Sequence, residues 1–208
     1  MAETTTTDRR RATAERNVAS ILDATEALLA GGSVPSTVAV AAEAGLSRPT
    51  VYAHFPTREA LLEAVVERVI GGATDALATV RLGEGTPLDA LDRLVATAWS
   101  ELDRHRAIAG VVAEHLSVPS LKRAHEALHA PIAQLVARGQ ADGAFRDDLS
   151  RDWLVAGYFA LMHACGDEVR AGHLDADQAV PTLQATLRGL FAAPRPRPRA
   201  RRSRKPPA

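Results

Sequence analysis

The stretch TVAVAAEAGLSRPTVYAHFPTREALL, residues 37–62, decides the fold of this chain. Its apolar residues recur three and four apart, which is typical of helices that bury one face. Gly45 can adopt the left-handed backbone conformation that ends a helix, and Ser47 can cap the helix that follows. The pattern predicts two short helices around a tight turn.

The second of these helices, within SRPTVYAHF at 47–55, is unusual in its polar residues. Arg, Thr, Tyr and His predominate where an ordinary solvated helix would carry a mixture of Glu and Lys. These four residue types bind phosphates and base edges. We therefore interpret the segment as a helix-turn-helix that places side chains on DNA, the alternative being a hairpin whose polar residues are merely solvated.

The composition predicts an all-α protein. Of the 208 residues, 46% are hydrophobic, which suffices for a core in one or two domains. Segments that alternate at period two are almost absent, so we expect few or no strands. The single cysteine, Cys165, excludes an internal disulfide framework and fits a reducing compartment.

Neither a signal peptide nor a membrane span is predicted. The N-terminus, MAETTTTDRRR, has no apolar stretch, and the longest apolar run, 154–165, is shorter than the roughly 20 residues that a spanning helix needs. We expect a cytoplasmic protein with no membrane partner. Its formal net charge is zero, yet residues 1–194 hold 18 basic and 25 acidic residues, a net of −7. The basic residues at the two ends can still attract DNA phosphates.

The chain divides into four predicted parts. Residues 1–15 are expected to form a flexible basic arm, 16–62 the DNA-binding domain, 63–193 a larger helical domain, and 194–208 a disordered tail rich in Pro and Arg. The arm, with Arg9 to Arg11, either contacts DNA or is a solvated tail. Helices are expected at about 16–30, 36–44, 47–54, 57–70, 87–105, 107–117, 120–140 (interrupted or restarted at Pro131), 150–171 and 175–191.

The chain resembles the tetracycline-repressor (TetR) family of bacterial transcription regulators through AxxAGLSRPTVYAHFPTREAL at 41–61. The resemblance is strong over 16–62. Further on, ARGQADGAFRDDL at 137–149 and VRAGHLD at 169–175 are similar in arrangement. It implies an all-α fold of about nine helices, with a three-helix DNA-binding domain and a larger domain that binds a small-molecule effector and dimerises.

The function that the resemblance implies is ligand-responsive regulation of transcription. A homodimer would bind a palindromic operator in double-stranded DNA, most simply as a repressor that a small-molecule effector releases; activation is the alternative. Effector binding would tilt the helix at 57–70 and change the separation of the two recognition helices. We expect no cofactor and no enzymatic activity.

The two C-terminal helices, 150–171 and 175–191, correspond to the pair that forms the four-helix dimer interface in the family. An intramolecular core is the alternative. The residues considered for this interface are Ala156, Ala160, Ala164, Leu183, Leu187, Leu190 and Phe191.

Carried over to this sequence, the family's recognition helix corresponds to residues 48–54. The N-terminal residues of this helix would face base edges and its later polar residues would donate to phosphates. The family usually has Lys where this chain has Arg58, and a larger residue where it has Ala53, which predicts a preserved phosphate contact and a changed sequence preference. The candidate DNA-binding residues are Thr37, Ser47, Arg48, Pro49, Thr50, Tyr52, His54 and Arg58.

The larger domain offers candidates for the effector pocket, although helical spacing predicts core packing for each of them equally well. They combine apolar side chains with a few hydrogen-bonding groups. The candidates are Trp99, Leu102, Ile108, Val112, His115, Leu116, Trp153, Tyr158, Phe159, Met162 and His163.

A competing motif, HEALH at 125–129, matches the HExxH pattern of zinc proteases. It would support a helical metal-binding enzyme. Pro131 follows almost at once, however, and no metzincin-type extension supplies a third ligand. We interpret the two histidines as ordinary helix residues and expect no metal.

Overall fold

The computed structural model describes residues 2–113 and 115–194, and side chains within them except at 2–7, 107, 109, 112, 113 and 118–125. These residues form nine α-helices and no strand, so the expected all-α class is confirmed. The helices are α1 (Ala2–Leu29), α2 (Thr37–Glu43), α3 (Arg48–His54), α4 (Arg58–Ala78), α5 (Pro87–Arg104), α6 (Arg106–Ala113), α7 (Val118–Ala141), α8 (Arg151–Ala171) and α9 (Ala176–Phe191). None of the helices in the described ranges has an apolar stretch sufficient to cross a membrane.

Hydroxyl side chains start five of these helices. Each accepts a hydrogen bond from the backbone N–H three residues later and so satisfies one of the unpaired donors of the first turn. The capping residues are Ser36, Ser47, Thr57, Thr86 and Ser150. Local sequence therefore sets where α2, α3, α4, α5 and α8 begin.

The N-terminal segment differs from the prediction. In place of a flexible arm over 1–15, α1 begins at Ala2 and continues without interruption into the predicted first helix. No Gly or Pro occurs between Ala2 and Leu29, and Arg11 forms an i,i+4 ion pair with Glu15. The predicted tail over 194–208 lies outside the described residues beyond Pro194.

Two other helices are longer or more continuous than expected. We expected α4 to end near residue 70, but it runs through Gly71 and Gly72 to Ala78. Neither glycine has a positive φ, and the buried Leu77 anchors the last turn of the helix. The seventh helix, α7, continues through Pro131. Proline removes one helix hydrogen bond, and burial of the following Ile132 offsets that loss.

The described helices bury two hydrophobic clusters. The N-terminal cluster is built from α1, α2, α3, the first half of α4, and α6; its buried members are Ile21, Leu22, Ala24, Leu29, Val40, Ala41, Val51, Leu61, Leu62, Val65, Ile108 and Leu116. The C-terminal cluster lies among α5, α7, α8 and α9 and includes Trp99, Leu135, Phe145, Leu154, Tyr158, Met162, Leu183, Leu187 and Phe191.

Helix α4 belongs to both clusters. Leu61, Leu62 and Val65 are buried in the N-terminal cluster, and Leu77 is buried in the C-terminal cluster. The predicted boundary after residue 62 therefore falls inside one continuous helix. Ile108 adds a residue from the predicted larger domain to the N-terminal cluster.

Candidate DNA interface

The turn between α2 and α3 has the geometry that the sequence predicts. Gly45 has φ +66°, its N–H donates to the carbonyl of Ala42, and the N–H of Leu46 donates to that of Ala41 at 2.9 Å. This pair of bonds forms the Schellman motif, which satisfies the last carbonyls of a helix. The short turn holds α3 at a defined angle to α2.

The start of α3 is held by a small hydrogen-bonded group. The Ser47 hydroxyl oxygen accepts from the backbone N–H of Thr50 at 3.2 Å, and the two side-chain oxygens are 2.7 Å apart. Pro49 lies in the first turn, where its missing N–H costs no helix bond. Arg48 and Pro49 are exposed, and Thr50 is half-buried.

Two opposite faces of α3 are evident from burial. Val51 is 1% exposed and packs in the N-terminal cluster, as predicted, with Phe55 partly buried beside it. Tyr52 is 53% exposed although it is a large aromatic residue, and His54 is half-buried at the end of the helix. An exposed tyrosine at this point offers a hydroxyl donor to a partner outside the protomer.

The flanking candidates lie on either side of α3. Thr37 is the first residue of α2 and is half-buried. Arg58 is the first residue of α4, and its Nη2 donates to the backbone carbonyl of Val34 at 2.6 Å. This bond occupies one of five N–H donors and orients the guanidinium, which leaves the others for a phosphate.

Two features of this surface were not predicted from the sequence. Val38, in the first turn of α2, is 46% exposed although it is apolar. Arg9 and Arg10 line a cleft together with His54, whereas the sequence placed them on a separate arm. The absence of Gly and Pro from Ala2 to Leu29 was the signal that could have predicted the latter.

The effector candidates are divided by the fold. Trp99, Tyr158 and Met162 are buried in the C-terminal cluster, with Leu102 and Phe159 packed against it. Among the described residues the Tyr158 hydroxyl is buried without a hydrogen-bond partner. Burial raises the pKa of this phenol above its ordinary value, so the group remains a donor.

The other effector candidates lie elsewhere. Ile108 and Leu116 belong to the N-terminal cluster. His115 and His163 are exposed, and Trp153 is 64% exposed, so it does not line an internal pocket. The sequence could not separate these residues from the buried candidates, because an apolar stripe predicts that a helix is buried but not which element it packs against. The Val112 side chain lies outside the described residues.

The HEALH motif is only partly described. The His125 side chain lies outside the described residues, Glu126 is exposed, and the His129 ring stacks on Phe159 with centroids 4.6 Å apart. Within the described part of the chain, no group of three His, Cys, Asp or Glu residues is arranged to hold a metal ion.

The two C-terminal helices separate the predicted interface residues into two sets. Leu183, Leu187 and Phe191 are buried within the protomer, where Phe191 meets Phe145 edge to face at 5.3 Å. Leu190 is partly buried against the same cluster. Their assignment to the dimer interface is corrected to the core. An exposed small-residue face remains, with the alanines Ala156, Ala160 and Ala164 on α8 and Thr182, Ala185 and Gly189 on α9.

The fold and this surface define a helix-turn-helix protein of the DNA-binding class. Residues 21–65 match the family model described as "Bacterial regulatory proteins, tetR family". This match shows that the helix-turn-helix segment of the chain is of the TetR-family type.

The chain is also similar to known proteins beyond this segment, in sequence to one repressor and in fold to solved structures. The chain is 29% identical over 114 residues to the HTH-type transcriptional repressor NicS of Pseudomonas putida, a match that covers 48% of this chain and spans about half the length (50%) of that protein. Among solved structures, a protein of unknown function from Rhodococcus sp. RHA1 has a TM-score of 0.71 at 23% identity, covering 85% of this chain and 95% of its own. The TetR-family regulator PfmR from Thermus thermophilus has a TM-score of 0.64 at 18% identity, covering 82% and 96%.

Proposed function

We propose that this TetR-family regulator is a ligand-responsive repressor that binds a palindromic operator as a homodimer and is released by a small-molecule effector. The observation that carries the proposal is the continuity of α4. Its N-terminal half is buried against the helix-turn-helix, and Leu77 near its end is buried in the C-terminal cluster. Because α4 is one helix, a shift of the C-terminal cluster that moves α4 also moves the recognition helix.

The DNA-contacting surface is assigned to the exposed side of α2, α3 and the start of α4. Arg48, Pro49 and Thr50 face base edges, where Arg can pair with guanine and Pro or Thr can contact a thymine methyl group. Tyr52 and His54 donate to phosphates. Three residues contact the DNA backbone on either side of the bases that α3 reads. They are Thr37 at the start of α2, Ser47 at the N-cap of α3 and Arg58 at the start of α4.

Dimerisation is assigned to the exposed small-residue face of α8 and α9. Small side chains allow two helices to approach closely, and an isologous pair of such faces forms a four-helix bundle across a two-fold axis. Trp153, 64% exposed at the start of α8, adds a large apolar surface next to this face. A two-fold dimer matches the symmetry of a palindromic operator.

The effector site is assigned to the part of the C-terminal cluster around Tyr158. The cluster residues Trp99, Leu102, Phe159 and Met162 are apolar, and the Tyr158 hydroxyl, buried without a partner among the described residues, is a donor. This combination suits a largely apolar effector with a hydrogen-bond acceptor.

A second route from effector to DNA runs through α6. The Arg170 guanidinium of α8 lies over Gly110 of α6, where an added Cβ would be 2.9 Å from Nη1. Ile108 of the same helix is buried against the helix-turn-helix. This contact gives a displacement of α8 a path to the DNA-binding unit through α6, and coupling of about 1–3 kcal/mol suffices for release.

The proposed direction of regulation is repression. The curated relative NicS is named as a repressor, and release on effector binding follows most simply from a changed separation of the two recognition helices. The alternative, activation, would require an additional contact with the transcription machinery.

The experiment that tests the proposal is a gel-shift titration with the DNA upstream of the protein's own gene. Wild type should give a specific complex that unlabelled competitor of the same sequence removes, and Arg48→Ala should lose it. A thermal-shift panel of small molecules then identifies ligands by the stabilisation that they cause. An effector found in this way should dissociate the complex. Equal binding of wild type and Arg48→Ala would contradict the assignment.

A further inference from the structure

Trp153, in the first turn of α8, is the most exposed large hydrophobic residue among the described side chains, at 64%. Gly157, four residues later, lies on the same side of α8 and faces α9, because an added Cβ would be 2.9 Å from Cδ2 of Leu190. The two helices are antiparallel, since only residues 172–175 connect them. Helix α9 ends at Phe191, and helical side chains point toward the N-terminus of their helix. The indole of Trp153 therefore extends past the end of α9, which explains its exposure.

A short series of hydrogen bonds places the end of α9 beside this tryptophan. The N–H of Arg146 donates to the carbonyl of Phe191 at 2.8 Å. Nε2 of Gln140 donates to the carbonyls of Arg146 at 3.0 Å and Leu149 at 3.3 Å, and so holds the two ends of this loop together. The residue after Leu149 caps α8 by accepting from the N–H of Trp153 at 3.2 Å. The chain thus leaves α9 next to the first turn of α8.

The backbone is already extended where it leaves α9. Ala192 has φ −57° and ψ 140°, close to polyproline II geometry, and the N–H of Ala193 donates to the carbonyl of Ala144 at 3.1 Å. From Pro194 the sequence continues as PRPRPR to residue 199. Proline fixes φ near −65° and disfavours helix in the residue before it. The sequence therefore favours continuation of the polyproline II geometry that begins at Ala192.

The chemistry of this segment complements the exposed indole. Polyproline II segments bind to aromatic side chains, and tryptophan attracts guanidinium groups through its ring face. Residues 146–152 carry three carboxylates and two guanidinium groups, and the carboxylates of Asp147 and Asp152 are exposed. The segment 195–199 has three arginines and no acidic residue. Proline rings and positive charges thus follow directly on a surface that offers an aromatic ring and an excess of negative charge.

We propose that Trp153 is the docking site for residues 195–199 of the same chain, which follow the described residues. The prolines pack on the indole, and the arginines between them interact with its ring face and with Asp147 and Asp152. Because Trp153 lies at the end of the small-residue face, the segment covers the indole without displacing a second protomer. The inference does not depend on the assignment of the DNA-contacting residues.

Tryptophan fluorescence tests the docking site, because the chain has two tryptophans and Trp99 is only 5% exposed. In a Trp99→Phe variant, quenching by acrylamide reports on Trp153 alone. Deletion of residues 195–208 should increase this quenching several-fold and shift the emission to longer wavelength. Equal quenching with and without the segment overturns the inference. If Trp99→Phe does not fold, the same comparison is made in wild type, where the buried Trp99 contributes equally to both proteins.

Proline substitutions locate the contact within the segment. Pro196→Ala/Pro198→Ala should increase the quenching of Trp153, since it removes two rings from the docking segment. The matched control Pro206→Ala/Pro207→Ala changes two prolines near the end of the chain and should behave as the full chain does. Equal effects of the two double variants would overturn the assignment to 195–199.

A dilution series distinguishes the segment from a second copy of the chain. With an intramolecular contact, the quenching of Trp153 should be independent of protein concentration and should respond to the deletion at every concentration. If a second protomer covers the indole instead, quenching increases on dilution in the full and shortened chains alike, and the inference is overturned. Circular dichroism of the shortened chain confirms that its helices are retained.

Discussion

Arg68 of α4 pairs with Glu26 of α1, with its Nε 2.7 Å from the carboxylate Oε1. The same guanidinium donates from Nη1 to Asp23 at 2.7 Å. The arginine side chain is 32% exposed and that of Glu26 is 23% exposed, so the pair is partly shielded from water. It joins the helix that spans both clusters to the first helix of the DNA-binding unit.

Replacing Arg68 by Gln should lower the free energy of unfolding by about 1 kcal/mol. Charge-assisted bonds of this kind contribute about 1.5–3 kcal/mol when shielded, and partial exposure reduces that value. Urea denaturation measures the change. Arg11→Gln, which breaks the exposed pair with Glu15, is the control and should cost less than about 0.5 kcal/mol. Equal effects would show that the Arg68 pair has no special role.

Tyr52→Phe should weaken operator binding and leave folding intact. The hydroxyl of an aromatic side chain that is 53% exposed does not stabilise the protomer, but we propose that it donates to a DNA phosphate. A loss of about 1–3 kcal/mol, nearly uniform across operator sequences, is expected in a gel-shift titration. Thr50→Ala should instead relax the preference at one base pair. A Tyr52→Phe titration identical to wild type would remove the phosphate assignment.

Tyr158→Phe should not destabilise the protein. The hydroxyl that it removes is buried without a partner among the described residues, so its loss relieves a desolvation penalty. The melting temperature should stay the same or rise, whereas the affinity for an effector found by thermal shift should fall about 5- to 10-fold. Met162→Leu, in the same cluster, preserves volume and is the control. A destabilisation above about 1 kcal/mol in Tyr158→Phe would reveal a partner for the hydroxyl.

Gly139→Ala should destabilise the C-terminal cluster. A Cβ at this position would overlap the ring of Phe145, and Phe145 is 2% exposed. The ring would have to shift, at a cost of about 1–3 kcal/mol. Gly71→Ala is the control, because nothing lies within 4 Å of its added Cβ; it should stabilise α4 by about 0.5–1 kcal/mol. Urea denaturation of both variants measures the two changes in the free energy of unfolding, which should have opposite signs.

Ala160→Glu should dissociate the proposed dimer without unfolding the protomer. The alanine is exposed on α8 within the small-residue face, so a carboxylate there is solvated in the monomer but meets its symmetry mate in a dimer. Sedimentation equilibrium should show a monomer, and operator affinity should fall accordingly. Ala141→Glu, exposed at the end of α7, should sediment as wild type does. A dimer that survives Ala160→Glu would place the interface elsewhere.

The helix bounds were largely predictable because they depend on neighbouring residues. A cap such as Ser47 acts on an N–H three residues away, and Gly45 ends α2 through bonds within six residues. The exceptions are α1 and α4, because local composition predicts a later start for α1 and an earlier end for α4. Polar residues before Arg16 indicated disorder, and the glycines at 71 and 72 indicated an end, yet both segments are continuous with strongly anchored helices.

The sequence by itself determined the helical class, the turn geometry and the residue types of the candidate recognition helix, since each follows from spacing within a few residues. Only the tertiary structure decided which elements meet. An apolar stripe predicts that a helix is buried but not against what, because the hydrophobic effect has no direction. Packing thus brought Ile108 to the N-terminal cluster, turned Leu183 and Phe191 into the protomer's own core, and left Trp153 outside. The same packing carried Arg9 and Arg10 to the side of His54.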